Sequence, residues 1–178
     1  MAEELLLKTP RFNVVRDSYL TSGGQTKSRE IVRHPGAVVI VPRLADGSVC
    51  LIRNFRISVN QTLIELPAGT LDPGESPRAT AERELIEETG YRAGRLEPLH
   101  SFFLSPGILD ERMHLFLATD LQLGETAREV GEEITSLVVP WDEAIALIFR
   151  GEIQDAKTIA ALLYVHHRED SLRTGGVQ

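Results

Sequence analysis

Short alternating runs of apolar and polar residues fill the first third of the chain, and this pattern predicts β-strands. The predicted strands cover residues 11–20, 27–34, 37–44, 48–56 and 63–66. Gly23-Gly24 and Asp46-Gly47 lie between runs and are typical of tight turns. Residues 37–44 are apolar almost throughout, which indicates a strand that is buried on both faces.

After residue 75 the alternation of apolar and polar residues stops, and residues typical of helix starts and ends appear. Ser76-Pro77 predicts a helix start, with Ser76 as N-cap and Pro77 in the first helical position. Gly90 predicts the end of this helix, in the left-handed position that follows the last turn. Strands are then expected at 96–104, 113–118 and 134–139, and helices at 141–150 and 155–167, with Asp155 as N-cap of the last. The residues after 167 are polar and predict a frayed end.

Composition narrows the class of protein and of ligand. A chain of 178 residues with 42% hydrophobic residues suits one domain with its own core. Its net charge of −7 disfavours a nucleic-acid polymer as partner, but a small phosphorylated ligand remains open if a divalent cation bridges it to carboxylates. The single cysteine, Cys50, is predicted to be buried and unreactive. Without a secretory signal or an apolar run of about 20 residues, we expect a cytoplasmic protein that is not in a membrane.

The helix between residues 76 and 90 carries an acidic stripe. Glu84 and Glu88 are four residues apart and Glu87 follows Glu84 by three, so the three carboxylates share one face. Like charges at this spacing destabilise a helix by roughly 0.2–0.5 kcal/mol per pair. Such a stripe is often only a solvated face, but a local conflict of this kind also marks functional sites. A hard cation such as Mg²⁺ would resolve the conflict.

The wider spacing favours the functional interpretation. Gly69, Glu75 and the run Arg83-Glu84-Leu85-x-Glu87-Glu88-x-Gly90 resemble the Nudix box at every fixed polar or glycine position. Tyr91 departs from the box, since the family usually has an aliphatic residue there, and this departure concerns packing rather than metal binding. The chain therefore resembles the Nudix hydrolase superfamily.

The resemblance implies roles for the residues of the box. It implies that Glu84, Glu87 and Glu88 bind Mg²⁺, or alternatively Mn²⁺, together with the backbone carbonyl of Ala68. It also implies supporting roles, which fall to Gly69, Glu75, Arg83 and Gly90. Glycines at 69 and 74 suit a tight loop near a ligand, which needs positive φ or close backbone approach.

Two segments beside the box resemble ADP-ribose pyrophosphatases in particular. Residues 52–69 are similar to the segment before the box in those enzymes, although related nucleotide-sugar diphosphatases share it. In that segment Arg56 would contact the nucleotide, the alternative being an exposed arginine at a strand end. Pro106 lies sixteen residues after Gly90, where the subgroup carries a proline, and with Gly107 it is a candidate substrate contact. By itself Ser-Pro-Gly is merely a turn.

Relatives also use a glutamate outside the box, on a loop before a late strand, as base or additional ligand. Glu132 and Glu133 precede the strand expected at 134–139, and we name both with a slight preference for Glu133. Glu87 is the third candidate catalytic residue. Exposed loop glutamates often have no role, so this assignment remains open.

The resemblance implies a Nudix α/β/α sandwich with a mixed sheet, preceded by an N-terminal antiparallel strand region. We expect residues 1–34 to form strands that take part in a homodimer, 35–168 the hydrolase domain, and 169–178 a polar tail. The expected reaction converts ADP-ribose and water to AMP and ribose 5-phosphate. The alternatives are another nucleotide sugar such as GDP-mannose, or a domain that senses its ligand without catalysis.

Overall fold

A computed structural model describes residues 3–124 and 134–173. Within these residues the helices are α1 (Pro77–Thr89), α2 (Trp141–Phe149) and α3 (Ala156–Arg173). The strands are β1 (Glu4–Lys8), β2 (Asn13–Leu20), β3 (Thr26–Arg33), β4 (Ala37–Pro42), β5 (Val49–Arg56), β6 (Gln61–Glu65), β7 (Ala68–Thr70), β8 (Tyr91–Phe103), β9 (Arg112–Leu123) and β10 (Ile134–Val139). No helix in the described ranges is both long enough and apolar enough to cross a bilayer.

The strands form three sheets. An N-terminal antiparallel sheet has the order β1-β2-β3, and a second sheet has the order β10-β5-β6. The third is a four-stranded sheet of order β7-β4-β9-β8, in which β4 runs parallel to β9 while β7 and β8 pair antiparallel. The mixed sheet and the N-terminal antiparallel strands both agree with the fold expected from the sequence.

Strand β4 is buried on both faces, as its apolar run predicts. Successive side chains of a strand point to opposite faces. Val38 and Ile40 therefore pack with Leu85 of α1, whereas Val39 and Val41 pack in the larger cluster that α2, α3 and β5 share. Helix α1 thus covers one face of the mixed sheet, and the other two helices lie on the opposite side, which confirms the α/β/α sandwich.

Helix α1 begins and ends where the sequence predicts. The Ser76 side chain accepts a hydrogen bond from the Ala79 N–H at 3.2 Å, so Ser76 is the N-cap. Gly90 has a φ of 78°, and its N–H donates to the Ile86 carbonyl. Local residues alone fix the bounds of this helix.

Other bounds differ from the prediction because distant contacts set them. Strand β8 starts at Tyr91 rather than residue 96, since it pairs with β9 along its whole length, up to Leu123. Strands β1 and β7 were not expected as separate elements. Helix α3 continues through Arg173 instead of ending at residue 167. Arg168 and Glu169 hold this extension through ion pairs of 2.6 Å to Glu97 and 3.1 Å to Arg43.

The N-terminal sheet is joined to the loop that precedes β9. The Val32 N–H donates to the Ile108 carbonyl at 2.9 Å, and the Asp110 N–H donates to the Val32 carbonyl at 3.1 Å. The Asp110 carboxylate also pairs with Arg33 at 3.2 Å. This loop, which contains Pro106 and Gly107, is therefore positioned by β3.

Candidate functional site

Arg83 lies among the carboxylates of α1 and of the loop before it. Its Nη1 donates to Glu84 at 2.7 Å and to Glu87 at 2.9 Å. Its Nε and Nη2 donate to the two oxygens of Glu75 at 3.2 and 3.1 Å. The pairing of Arg83 with Glu87 is therefore as the helix spacing predicts. The hydrogen bond to Glu75, followed by the charge of Glu84 and the hydrogen bonds to Glu84 and Glu87, raises the pKa of Arg83.

Glu75 ties the loop before α1 to the helix. Besides Arg83, its carboxylate accepts hydrogen bonds from the Thr80 hydroxyl at 2.8 Å and from the Asp72 N–H at 3.4 Å. The hydrogen bonds from Arg83 lower the pKa of Glu75, outweighing the effect of burial. The loop is thus held by a charged residue at its last position.

Gly69 and Gly74 each provide one of the two properties expected of glycines near a ligand, which are close backbone approach and positive φ. At Gly69 the Glu84 carboxylate lies so close that an added Cβ would fall 1.8 Å from Glu84 Oε1. Gly74 has a φ of +83°, which disfavours any other residue. Gly69 therefore allows Glu84 to pack directly against the backbone.

Glu88 meets the same backbone segment from the next turn of the helix. Its side chain is buried, and its Oε2 accepts a hydrogen bond from the Ala68 N–H at 2.8 Å. Glu84 lies against Gly69, so both carboxylates converge on residues 68–69. The Glu84 and Glu87 side chains are 13% and 22% exposed, so they do not extend into bulk solvent.

The carboxylate and carbonyl oxygens in this region are of the type that binds a divalent cation. Carboxylate and carbonyl oxygens are the ligands that Mg²⁺ and Mn²⁺ prefer. Within the described ranges no three histidine, cysteine or acidic side chains already converge in a way that could hold a metal. Instead, Arg83 forms an ion pair with one oxygen of Glu84 and with one oxygen of Glu87. Because each carboxylate has a second oxygen, Arg83 can orient Glu84 and Glu87 while they bind a cation.

Arg56 belongs to a second charged group that sequence reasoning did not find. Its Nε and Nη2 donate to the two oxygens of Glu65 at 2.8 and 2.6 Å, and Lys157 Nζ donates to the same carboxylate at 2.6 Å. Lys157 also pairs with Asp155 at 3.0 Å. A sequence signal existed for Glu65, since a carboxylate in an apolar strand is almost never buried without a partner. Lys157 carried no such signal.

The charges in this second group compensate one another. Burial alone would raise the pKa of Glu65, but the hydrogen bonds and charges of Arg56 and Lys157 lower it below its ordinary value. The hydrogen bonds to Glu65 raise the pKa of Arg56, and the charge of Glu88 adds to this increase. Arg56 therefore lies at the end of β5 with its guanidinium held by Glu65.

Pro106 and Gly107 lie elsewhere. They line a small apolar pocket together with residues of the N-terminal sheet and of the following loop, among them Arg29, Ile31 and Leu109. The residues described around this pocket include none from α1 or from the loop at 69–75. Among the described residues, the two predicted substrate contacts thus line a pocket that contains none of the box carboxylates.

Glu132 and Glu133 lie outside the described residues. The strand that follows them, β10, begins at Ile134, which pairs with Asn54 of β5. Arg56 is two residues further along the same strand. The segment that carries the two glutamates therefore leads into a strand beside the one that carries Arg56.

Comparison with known proteins shows likeness over most of the chain. Residues 32–162 match the family described as NUDIX domain. ADP-ribose pyrophosphatase of Bacillus subtilis (strain 168) is 41% identical over 157 residues, covering 87% of this chain and 84% of that protein. Methanol dehydrogenase activator of Bacillus methanolicus is 38% identical, with 94% and 95% covered. GDP-mannose pyrophosphatase of Citrobacter koseri (strain ATCC BAA-895 / CDC 4225-83 / SGSC4696) is 36% identical, with 79% and 82% covered.

A solved structure shares the fold along nearly the whole length of both chains. A crystal structure described as an ADP compounds hydrolase superposes with a TM-score of 0.82 at 26% identity, and the match covers 99% of this chain and 95% of that one. The N-terminal sheet is therefore part of the shared architecture.

Proposed function

Because this chain belongs to the NUDIX domain family, we propose that it is a hydrolase that cleaves the diphosphate bond of ADP-ribose, giving AMP and ribose 5-phosphate. The observation that carries the proposal is the convergence of Glu84 and Glu88 on residues 68–69, against which both carboxylates pack. The substrate follows from the relative that is 41% identical. A GDP-mannose pyrophosphatase is 36% identical, so GDP-mannose is the second candidate.

The box residues would hold the metal cofactor. Glu84, Glu87, Glu88 and the carbonyl of Ala68 would bind Mg²⁺ or Mn²⁺, which when bound polarises the diphosphate and lowers the pKa of a ligating water. Glu75 would keep Arg83 directed at the carboxylates, because it binds Arg83 through two hydrogen bonds. The role of this pair is therefore to orient the ligands.

The remaining roles concern the water and the negative charge of the substrate. A carboxylate beside the diphosphate would accept the proton of the attacking water, and Glu133, Glu132 and Glu87 are the candidates, in that order. The Arg56 guanidinium would offset charge on the diphosphate. The pocket lined by Pro106 and Gly107 would receive another part of the substrate.

We propose that the active form is a homodimer formed through the N-terminal sheet. Leu5 and Leu7 of β1 and Leu20 of β2 are 56%, 52% and 64% exposed, so this small sheet presents apolar side chains to solvent. A second copy of the chain would cover this surface. The dimer would also allow a partner's N-terminal sheet to approach the carboxylates of the box.

The substrate is tested by incubating the purified chain with Mg²⁺ and either ADP-ribose or GDP-mannose, and measuring AMP and GMP. We expect AMP release at the higher kcat/KM. EDTA should abolish it and added Mg²⁺ should restore it. Faster release of GMP would favour the second candidate, and release of neither nucleotide would contradict the proposal in favour of a ligand-sensing domain.

The metal site is tested with Glu88→Gln, which should lower kcat at least about a hundredfold, the range expected when an essential charged group is lost. Glu82→Gln is the matched control, since Glu82 lies on the same helix but is 53% exposed and pairs with Arg78. The control should keep wild-type activity. A Glu88→Gln enzyme within threefold of wild type at saturating Mg²⁺ would exclude the assigned role.

A further inference from the structure

Four charged residues join the end of β5 to the start of α3. Glu65 is 1% exposed and accepts hydrogen bonds from Arg56 on one side and from Lys157 on the other. Lys157 is 9% exposed and also contacts Asp155. Two cations and two anions balance, so the group is neutral as a whole, and each cation is oriented by a carboxylate.

The strand register explains why Arg56 reaches Glu65. Glu65 pairs with Ile52, and Arg56 lies four residues further along β5. Side chains separated by an even number of residues lie on the same face of a strand, so the Arg56 side chain shares a face with Glu65. The Arg56 guanidinium donates to both oxygens of Glu65, from Nε to Oε1 and from Nη2 to Oε2.

The first turn of α3 fixes the position of Glu65. Lys157 binds its carboxylate directly, and the next residue of the strand, Leu66, donates its N–H to the Thr158 hydroxyl at 2.8 Å. Asp155 in turn accepts hydrogen bonds from the N–H and hydroxyl of Thr158 at 3.0 and 2.5 Å. The carboxylate that orients Arg56 is therefore attached to α3 through both its side chain and its backbone.

Lys157 and Arg56 share one oxygen of Glu65. Lys157 Nζ and Arg56 Nη2 both lie 2.6 Å from Oε2, whereas Oε1 binds only Nε of Arg56 among these donors. Removal of the ammonium would leave a buried carboxylate with a single cation, and the guanidinium would move towards the freed oxygen. The position of Arg56 thus depends on a residue in a distant helix.

We propose that Lys157 is a positioning residue that acts through Glu65 to hold Arg56 where the diphosphate binds. The proposal rests on the proposed function, since Arg56 is a substrate contact only if the chain binds such a ligand. It assigns to α3 a part in substrate binding although no residue of α3 belongs to the box. Loss of Lys157 should weaken ground-state binding and leave the chemical step almost unchanged.

The effect of Lys157 on the position of the Arg56 guanidinium is tested without any assay of activity. In ¹⁵N-labelled protein the Arg56 Nε–H resonance is identified by its loss in Arg56→Gln. Lys157→Met should shift or broaden this resonance. Arg150→Gln, which also removes a cation with two carboxylate partners but at an exposed site, should leave it in place. An unmoved resonance in folded Lys157→Met would overturn the proposal.

The functional part is tested by a double-mutant cycle on KM for ADP-ribose. Lys157→Met should raise KM about tenfold, the size expected for a lost charge-assisted contact, with kcat within about threefold. In an Arg56→Gln background the same change should have no further effect, because its route to the substrate is gone. Should Lys157→Met fail to fold, Glu65→Gln interrupts the same route, and the same increase and non-additivity are expected.

The outcomes separate the two proposals. An active wild type in which the effects of Lys157→Met and Arg56→Gln on KM multiply would overturn the positioning role alone. A wild type that releases neither AMP nor GMP would overturn the proposed function and this role with it. Arg150→Gln should show wild-type KM, which excludes a general effect of lost surface charge.

Discussion

At the scale of single residues, the Glu84 carboxylate packs directly against the backbone of Gly69. The carboxylate occupies the space that any larger residue at 69 would need, since an added Cβ would lie 1.8 Å from Oε1. The neighbouring Glu88 is held by the Ala68 N–H. One backbone segment therefore sets the position of two carboxylates, and it can do so only with glycine at its centre.

The first prediction concerns this contact. Gly69→Ala should displace the Glu84 carboxylate and lower kcat at least about tenfold, because small displacements of catalytic groups are costly. Circular dichroism should show an intact fold. Gly23→Ala is the control, since an added Cβ there would meet nothing closer than 3.9 Å. Wild-type kcat in Gly69→Ala would mean that the position of Glu84 is irrelevant to turnover.

The sequence predicts local contacts between residues far better than distant ones. The pairing of Arg83 with Glu87 follows from helical spacing, and burial of Cys50, whose pKa rises to about 11, follows from its apolar strand. The contact of Lys157 with Glu65 joins residues that are 92 positions apart. No periodic pattern contains such a pair, because packing of α3 against β6 brings it together.

At the scale of elements, the loop at 69–75 and α1 form one unit held by Glu75. The bonds from Arg83 and Thr80 place this carboxylate between loop and helix. Because the pKa of Glu75 is lowered in the folded state, its stabilising contribution is complete above the ordinary glutamate pKa. The contribution is lost as pH falls through the lowered value.

The second prediction follows from the lowered pKa of Glu75. Glu75→Gln should lower the free energy of unfolding by about 1–3 kcal/mol at pH 7, the range for hydrogen bonds to charged groups. The difference from wild type should shrink as pH falls below 4.5, the ordinary pKa of glutamate. Urea unfolding at several pH values measures it, with the exposed Glu82→Gln as control. Equal losses at pH 7 and at acid pH would show that the charge of Glu75 contributes nothing.

The bounds of elements were predictable where local residues set them. Ser76 and Gly90 delimit α1 through a cap and a left-handed turn, both visible in the sequence. Strand β8 and helix α3 extend beyond their predicted ends because β9 and two ion pairs support the extra residues. Those partners are remote in the chain, so the apolar pattern near each end could not reveal them.

At the scale of the whole molecule, the N-terminal sheet is both attached to the core and incompletely covered. Val32 hydrogen-bonds the loop at 105–110, whereas Leu5 and Leu7 remain more than half exposed. The sequence predicted strands β2 and β3 of this sheet but not β1. Its attachment to the loop with Pro106 was not predicted, because the two segments are more than seventy residues apart.

The third prediction tests the dimer. Leu7→Glu should place a charge in the proposed interface and halve the mass measured by sedimentation at micromolar concentration. Leu172→Glu changes an equally apolar residue, 74% exposed on α3, and should leave the mass unchanged. A wild type that sediments as a monomer would refute the homodimer, and a dimeric Leu7→Glu would exclude β1 from its interface.

The parallel pairing of β4 with β9 has a consequence for the chain during its synthesis. Val38 pairs with His114, so the ribosome must add a further 76 residues before β4 gains this neighbour. At about 5–20 residues per second the strand waits on the order of 4–15 seconds. During that interval a run of β-branched residues is open to other nascent chains. Holdase chaperones that bind apolar segments should therefore raise the yield of native enzyme when translation is slowed.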